Sequence, residues 1–213
     1  MDAKMAEDQN RKLNKEMHKE RTLVIIKPDG VQRGLIGEII RRFERTGLKF
    51  VGFKFLVPTA EQCLAHYHKD EEWFLRKGNR IVDDLKRQGL TVEKDALAYG
   101  KGIIDTIIKF MMAGPMLAMV LEGNQSVAIV TKLTGTTEPA TSDVGTIRGD
   151  LTVDSYTHSM VQNRAVRNLL HSSESPEEAE REIQVWFAPE ELINYKTTHE
   201  RILYDVDLDG ILE

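Results

Sequence analysis

The segment AVRNLLHSSESPEEAE, beginning at Ala165, sets a single imidazole, His171, between an apolar run and a helix start. Val166 to Leu170 reads as a short strand. Ser175 with Glu178 three residues on makes a capping box, and Pro176 suits the first helical position. His171 is therefore predicted at the carboxyl end of a strand, just ahead of a helix. Open α/β architectures tend to place chemistry there. A lone histidine in such a window is more often a surface-loop residue, so other segments must converge on it.

Two other segments carry suitable groups. Lys27 ends an apolar strand in IIKPDGVQRG, where Pro28 and a turn at Asp29-Gly30 would leave its ammonium projecting from the strand's end. The irregular stretch GTTEPATSDVGTIRGD, Gly135 to Asp150, offers the hydroxyls of Thr136, Thr137 and Thr146 and the guanidinium of Arg148. That is the donor set a polyphosphate requires. A glycine-rich Walker loop, zinc-type histidine spacing and a serine nucleophile elbow are all absent from the sequence.

The elements that must position these groups follow from the apolar pattern. TLVIIK from Thr22 is a first strand, and Leu35 to Thr46 has helical spacing and stops at Gly47. LKFVGFKFLV is a second strand, and Thr59 with Gln62 opens a short helix through Tyr67. MLAMVLEG after Gly114-Pro115 is a third strand, with Asn124 capping a helix that ends near Gly135. Val166–Leu170 is the fourth, followed by a helix from Pro176 to Phe187. The order predicts an α/β fold of the α+β sandwich type: a ferredoxin-like βαββαβ antiparallel sheet with helices packed on it, plus a helical insertion.

Bulk properties narrow the class. The chain has 213 residues, 41% hydrophobic and 30% charged, and length alone allows one sizeable domain. A formal net charge of −5 argues against general nucleic-acid binding. No apolar run approaches the ~20 residues that span a bilayer, and the first 20 residues lack a signal-peptide centre. The only cysteine, Cys63, makes a reducing, cytoplasmic compartment the expectation.

Together the segments ERTLVIIKPDGVQRGLIGEIIRRFE, AGPMLAMVLEG, GTTEPA, GTIRGD, RNLLHSSES and EREIQVWFAPEEL resemble the nucleoside diphosphate kinase family, in the family's order. The resemblance runs from Glu20 to Tyr195. It implies that His171 is the histidine that becomes phosphorylated, taking the γ-phosphoryl group of a nucleoside triphosphate and passing it to a nucleoside diphosphate. It implies further that Lys27 meets the transferring phosphate and the sugar, that Tyr67 lies near the phosphoryl group, and that Thr137 and Arg148 bind the diphosphate. Asn168 would hold the sugar hydroxyl, Trp73 or Phe74 would stack on the base, and Ser173 would support the histidine. Glu182 would accept a hydrogen bond from the second nitrogen of His171; on the last helix it falls at the edge of the buried arc Ala179, Ile183 and Trp186. Mg²⁺ would arrive on the nucleotide's phosphates without a protein cage, and a homo-oligomer is implied.

The resemblance also divides the chain into a charged extension over 1–20, a catalytic domain over 21–196 and a tail over 197–213. Within the domain, insertions are read at about 75–109 and 152–165. At Thr131 the family usually has an arginine; Lys132, Arg164 and Arg167 are the nearby replacements. Two functions stay open at this point: an active kinase, or a binding module that keeps the fold without turnover. Retention of Lys27, Tyr67, Arg148, Asn168, His171 and Glu182 favours the first.

Overall fold

The computed structural model describes residues 20–205 and Leu208; most of the expected N-terminal extension lies outside the described residues. The elements are β1 (Glu20–Ile26), α1 (Pro28–Gln32), α2 (Ile36–Glu44), β2 (Lys49–Leu56), α3 (Ala60–His66), α4 (Glu71–Arg87), α5 (Ala96–Met111) and β3 (Met116–Gly123). They continue with α6 (Ser126–Thr134), α7 (Ile147–Leu151), α8 (Tyr156–Val161), β4 (Leu170–Ser172), α9 (Pro176–Trp186) and α10 (Thr198–Leu203). The four strands form one antiparallel sheet in the order β2-β3-β1-β4, as the ferredoxin-like pattern requires.

Both faces of the central strands are covered, which explains why β1 and β3 read as unbroken apolar runs rather than alternating ones. Val24 and Ile26 face one core with Ile39 and Phe43 of α2, Val130 of α6 and Ile147 of α7. Leu23 and Ile25 face the other, with Cys63 of α3, Met111 of α5 and Ile183 and Trp186 of α9. Strand periodicity sends neighbouring side chains to opposite faces, so each strand feeds two cores.

Local signals hold in part. Thr59 and Gln62 make the reciprocal capping box on α3. Ser175 caps α9 by accepting from Glu178 N–H, but the Glu178 carboxylate turns back to Glu174 N–H instead of Ser175. Asn124 does not cap α6: Gln125 occupies the cap with φ 50°, and the Glu20 carboxylate accepts from Val127 N–H at 2.9 Å. The turn read at Pro28-Asp29-Gly30 is the helix α1.

The long excursion between β2 and β3 is a helical hairpin, α4 and α5, which begins a few residues earlier than expected. Its arms touch backbone to backbone. A Cβ on Gly78 would lie 1.6 Å from the Ala96 carbonyl oxygen, and one on Gly100 would lie 2.1 Å from that of Phe74. Only glycine permits such contact. The stretch read as a C-terminal tail carries α10, tied to the sheet by the buried Lys49, whose ammonium meets Glu122 at 2.9 Å and Glu200 at 3.0 Å. Among the described residues no helix is long and apolar enough to cross a membrane.

Candidate active site

His171 lies on β4, not beyond a strand's end. The apolar run before it does not extend as a strand, because Leu169 sits at φ 68°. That conformation is unusual for a branched residue and costs energy unless its surroundings fix it. Here they do. The Leu169 carbonyl accepts from Lys27 N–H at 2.8 Å, and its N–H donates to Asp29 at 3.1 Å. Arg148 donates to the carbonyls of Asn168 (3.1 Å), Leu170 (2.7 Å) and Gly135 (3.0 Å).

Register then decides where the imidazole points. His171 pairs with Ile25, so it shares the face of Leu23 and Ile25, the one covered by α3 and α9. On that face His171 Nε2 lies 2.8 Å from Glu182 Oε2, which also accepts from Ser173 Oγ at 2.7 Å. Glu182 was expected at the edge of the buried arc, yet it is only 1% exposed. A carboxylate can only accept, so Nε2 carries the proton and Nδ1 keeps a free lone pair.

One residue of this cluster was missed from the sequence. His66, at the end of α3, is 1% exposed, and its ring meets that of His171 edge-on at 4.4 Å. Its Nδ1 accepts from Trp186 Nε1 at 3.2 Å. The only signal was its place beside Tyr67 at the end of an amphipathic helix. Tyr67 packs beside both histidine rings, and its buried hydroxyl has no partner.

In a second group, Lys27 Nζ donates to Asn168 Oδ1 at 2.8 Å, and Asn168 Nδ2 donates to the Thr137 carbonyl at 2.8 Å. Lys27, Asn168, Thr137 and Arg148 are thus one linked group. Trp73 and Phe74 stand apart on α4, their rings 5.6 Å from each other in an edge-on pair. Trp73 lines an open cleft of about 320 Å³ with Lys69, Asp70 and Arg76.

The electrostatics favour a neutral nucleophile. Burial, then the Lys27 charge, push His171 down to about 3. Burial, then Arg148, bring Lys27 down to about 8. Burial raises Glu182 and holds His66 well below the ordinary imidazole range. It also raises the Tyr67 phenol and lowers Arg148 to about 10.

The sequence model for nucleoside diphosphate kinase matches residues 20–82 and 76–192. The chain belongs to that family. A nucleoside diphosphate kinase of Pyrobaculum aerophilum is 42% identical over 179 residues, covering 82% of this chain and 98% of that one. Its relative "nucleoside diphosphate kinase III, chloroplastic/mitochondrial" of Arabidopsis thaliana is 41% identical over 87% of this chain, which spans 62% of that protein. Among solved structures, an NDP kinase from Pyrobaculum aerophilum superposes with a TM-score of 0.79 at 41% identity, covering 83% of this chain and all (100%) of that one. A transition-state mimic of the Borrelia burgdorferi nucleoside-diphosphate kinase, with vanadate and ADP bound, gives 0.71 at 35% identity, covering 87% and 96%. Family membership accounts for the shared sheet and for the six segments singled out in the sequence.

Proposed function

We propose that this chain is an active nucleoside diphosphate kinase working by a ping-pong exchange through His171. The observation that carries the reading is the fixed Nε2–H of His171 on Glu182, which leaves Nδ1 as the attacking nitrogen. In the first half-reaction the Nδ1 lone pair forms the N–P bond as the bond from the γ-phosphorus to its bridging oxygen breaks. The nucleoside diphosphate leaves with that electron pair. In the second, an acceptor diphosphate oxygen attacks the phosphohistidine and the imidazole leaves neutral. No proton need move at the attacking nitrogen, so positioning and charge stabilisation supply the catalysis.

Lys27 and Arg148 offset charge on the transferring and leaving oxygens, Thr137 binds the diphosphate and Asn168 the sugar. Three of the five Arg148 N–H donors already hold backbone carbonyls, so it contributes mainly its field and its remaining donors. Mg²⁺ comes on the nucleotide. Among the described residues the one group of three with metal-ligand chemistry is His66, His171 and Glu182, in which Glu182 Oε2 accepts from His171 and Ser173 and His66 Nδ1 accepts from Trp186. Trp73 or Phe74 stacks on the base. The chain works as a homo-oligomer, a reading supported by edge strand β2, where Phe53 and Phe55 are 50% and 61% exposed. Its single cysteine, buried Cys63, suits a cytoplasmic setting.

The direct test is incubation with γ-labelled ATP, then acid and base treatment of the protein. Acid-labile, base-stable label at His171 is the expected result, and no such label overturns the reading. The pH profile of kcat/KM gives a second check. It should stay flat through neutral pH and fall on the alkaline side near pH 8 as free Lys27 loses its proton. An acid limb at about pH 6.5, the ordinary imidazole value, would mean that His171 is not held neutral by burial.

Thr131 tests the completeness of the phosphate site. It is exposed on α6, and of its three candidate replacements Arg164 is consumed by Asp154 at 2.6 and 2.9 Å. Arg167, whose guanidinium lies 4.0 Å above the Phe110 ring, and Lys132 remain. Thr131→Arg should change the acceptor KM by less than about tenfold, whereas Arg167→Gln should raise it; one charged hydrogen bond is worth roughly 10–150-fold. A hundredfold tightening on adding the arginine would show a site short of one cation.

A further inference from the structure

We infer that Asp154, in the second inserted segment, is a positioning residue for nucleotide binding: its carboxylate fixes the backbone that delivers Asn168 to Lys27 and Thr137. The inference rests on the phosphotransfer reading of this site.

Arg167, immediately before Asn168, lies outside every helix and strand. Main chain without a ladder must find its partners elsewhere. Here the insertion supplies both. The Arg167 N–H donates to Asp154 Oδ2 at 2.7 Å, and the Arg167 carbonyl accepts from Thr152 Oγ1 at 3.0 Å. These bonds fix the peptide planes on either side of Arg167, and the second plane carries the Asn168 nitrogen.

The carboxylate is itself anchored. Arg164 grips it with both terminal nitrogens, Nη1 to Oδ2 at 2.6 Å and Nη2 to Oδ1 at 2.9 Å, in the paired geometry that suits a guanidinium and a carboxylate. The Asp154 carbonyl accepts from Ala140 N–H at 3.1 Å, on the loop that carries Thr137. Asp154 thus joins the two pieces of chain that meet at the site. Its main chain holds the Thr137 loop, and its side chain holds the approach to Asn168. Asn168 closes the circuit, donating to the Thr137 carbonyl and accepting from Lys27 Nζ, each at 2.8 Å. Asp154 is 8% exposed and Asn168 3%, so water is poorly placed to replace any of these bonds. An amide at position 154 would turn a donor toward the Arg164 guanidinium or the Arg167 N–H, neither of which can accept.

Asp154→Asn should raise the acceptor KM and the Kd for Mg–ADP about tenfold or more, with kcat within about threefold, since a misplacement near 1 Å can cost about a hundredfold. A lowered Tm with KM and Kd within about twofold of the parent overturns the inference, leaving Asp154 a residue of the fold alone. In an Asn168→Ala background the same change should still lower Tm but shift Kd by less than about twofold, because the side chain being positioned is gone; a further tenfold loss there, about 1.4 kcal/mol, overturns it. Lys49→Met is the stability control. It breaks the buried pairs with Glu122 and Glu200, at the opposite end of β1 from Lys27. It should lower Tm with Kd unchanged, and a matching rise in Kd overturns the inference, since any loss of stability would then suffice. Should Asp154→Asn not fold, Thr152→Val removes only the hydroxyl bonded to the Arg167 carbonyl. A Kd raised about threefold or more is expected there, and the parent value overturns the inference. Phospholabelling of the parent separates the two levels: a labelled parent with unchanged Kd in Asp154→Asn sinks this inference alone, and an unlabelled parent sinks the phosphotransfer reading beneath it.

Discussion

His171→Ala is expected to lower phosphoryl transfer by about four orders of magnitude or more and to remove the acid-labile label entirely. The substitution deletes the only atom placed to carry the group between nucleotides. Neighbouring His66 is no substitute: it is fully enclosed and its Nδ1 already accepts from Trp186. The fold should survive with a measurable penalty. The variant leaves the buried Glu182 carboxylate with Ser173 Oγ at 2.7 Å and the Arg181 guanidinium at 3.5 Å, and losing one partner of a buried acceptor costs about 1–3 kcal/mol. Thermal unfolding and single-turnover labelling measured together separate the two effects. A variant that labels at the parent rate would mean that the phosphoryl group resides elsewhere.

Glu182→Ala should slow phosphorylation of His171 by about 10–100-fold, the usual worth of a group that orients a reactive histidine. The imidazole would remain, but neither its tautomer nor its ring angle would be fixed. Nucleotide affinity should change little, because Glu182 bonds His171 and Ser173 and makes no hydrogen bond to the Lys27–Asn168–Thr137 group. Glu182→Gln retains an acceptor oxygen and should recover part of the loss. Equal single-turnover rates for the parent and the alanine variant would reduce Glu182 to a packing residue.

How much of this was readable in the chain depends on the range of the interaction. Contacts made within one turn of helix were legible in part: the Thr59–Gln62 box forms, the Ser175–Glu178 box forms by half, and Gln125 takes the cap read at Asn124. His171 stood out only as part of six segments that together resemble the family, since its own window reads more often as a surface loop. The start of β4 was not legible. Its apolar letters look like a strand, and only three distant groups, Lys27 N–H, Asp29 and Arg148, pull Leu169 into a left-handed conformation. Glu182 looked like a boundary residue because helical spacing ranks burial within one helix and ignores what packs over it. Its burial comes from α3, which also brings His66, a neighbour 120 positions from Trp186 that no local pattern reveals.

The glycine contacts of the α4–α5 hairpin make it a stiff bracket with a free outer end. Where Gly78 meets Ala96 and Gly100 meets Phe74, main chain rests on main chain, so the spacing of the arms is set by atoms that have no rotamers to change. Trp73 and Phe74 lie at the root of that bracket, in the first turn of α4, while the turn through Gln88 to Leu90 is exposed and far along the arms. The root can therefore hold a fixed wall for a bound nucleobase while the tip lengthens, shortens or changes sequence over generations. An excursion of this size can be gained at the edge of an enzyme without retuning the chemistry beside it.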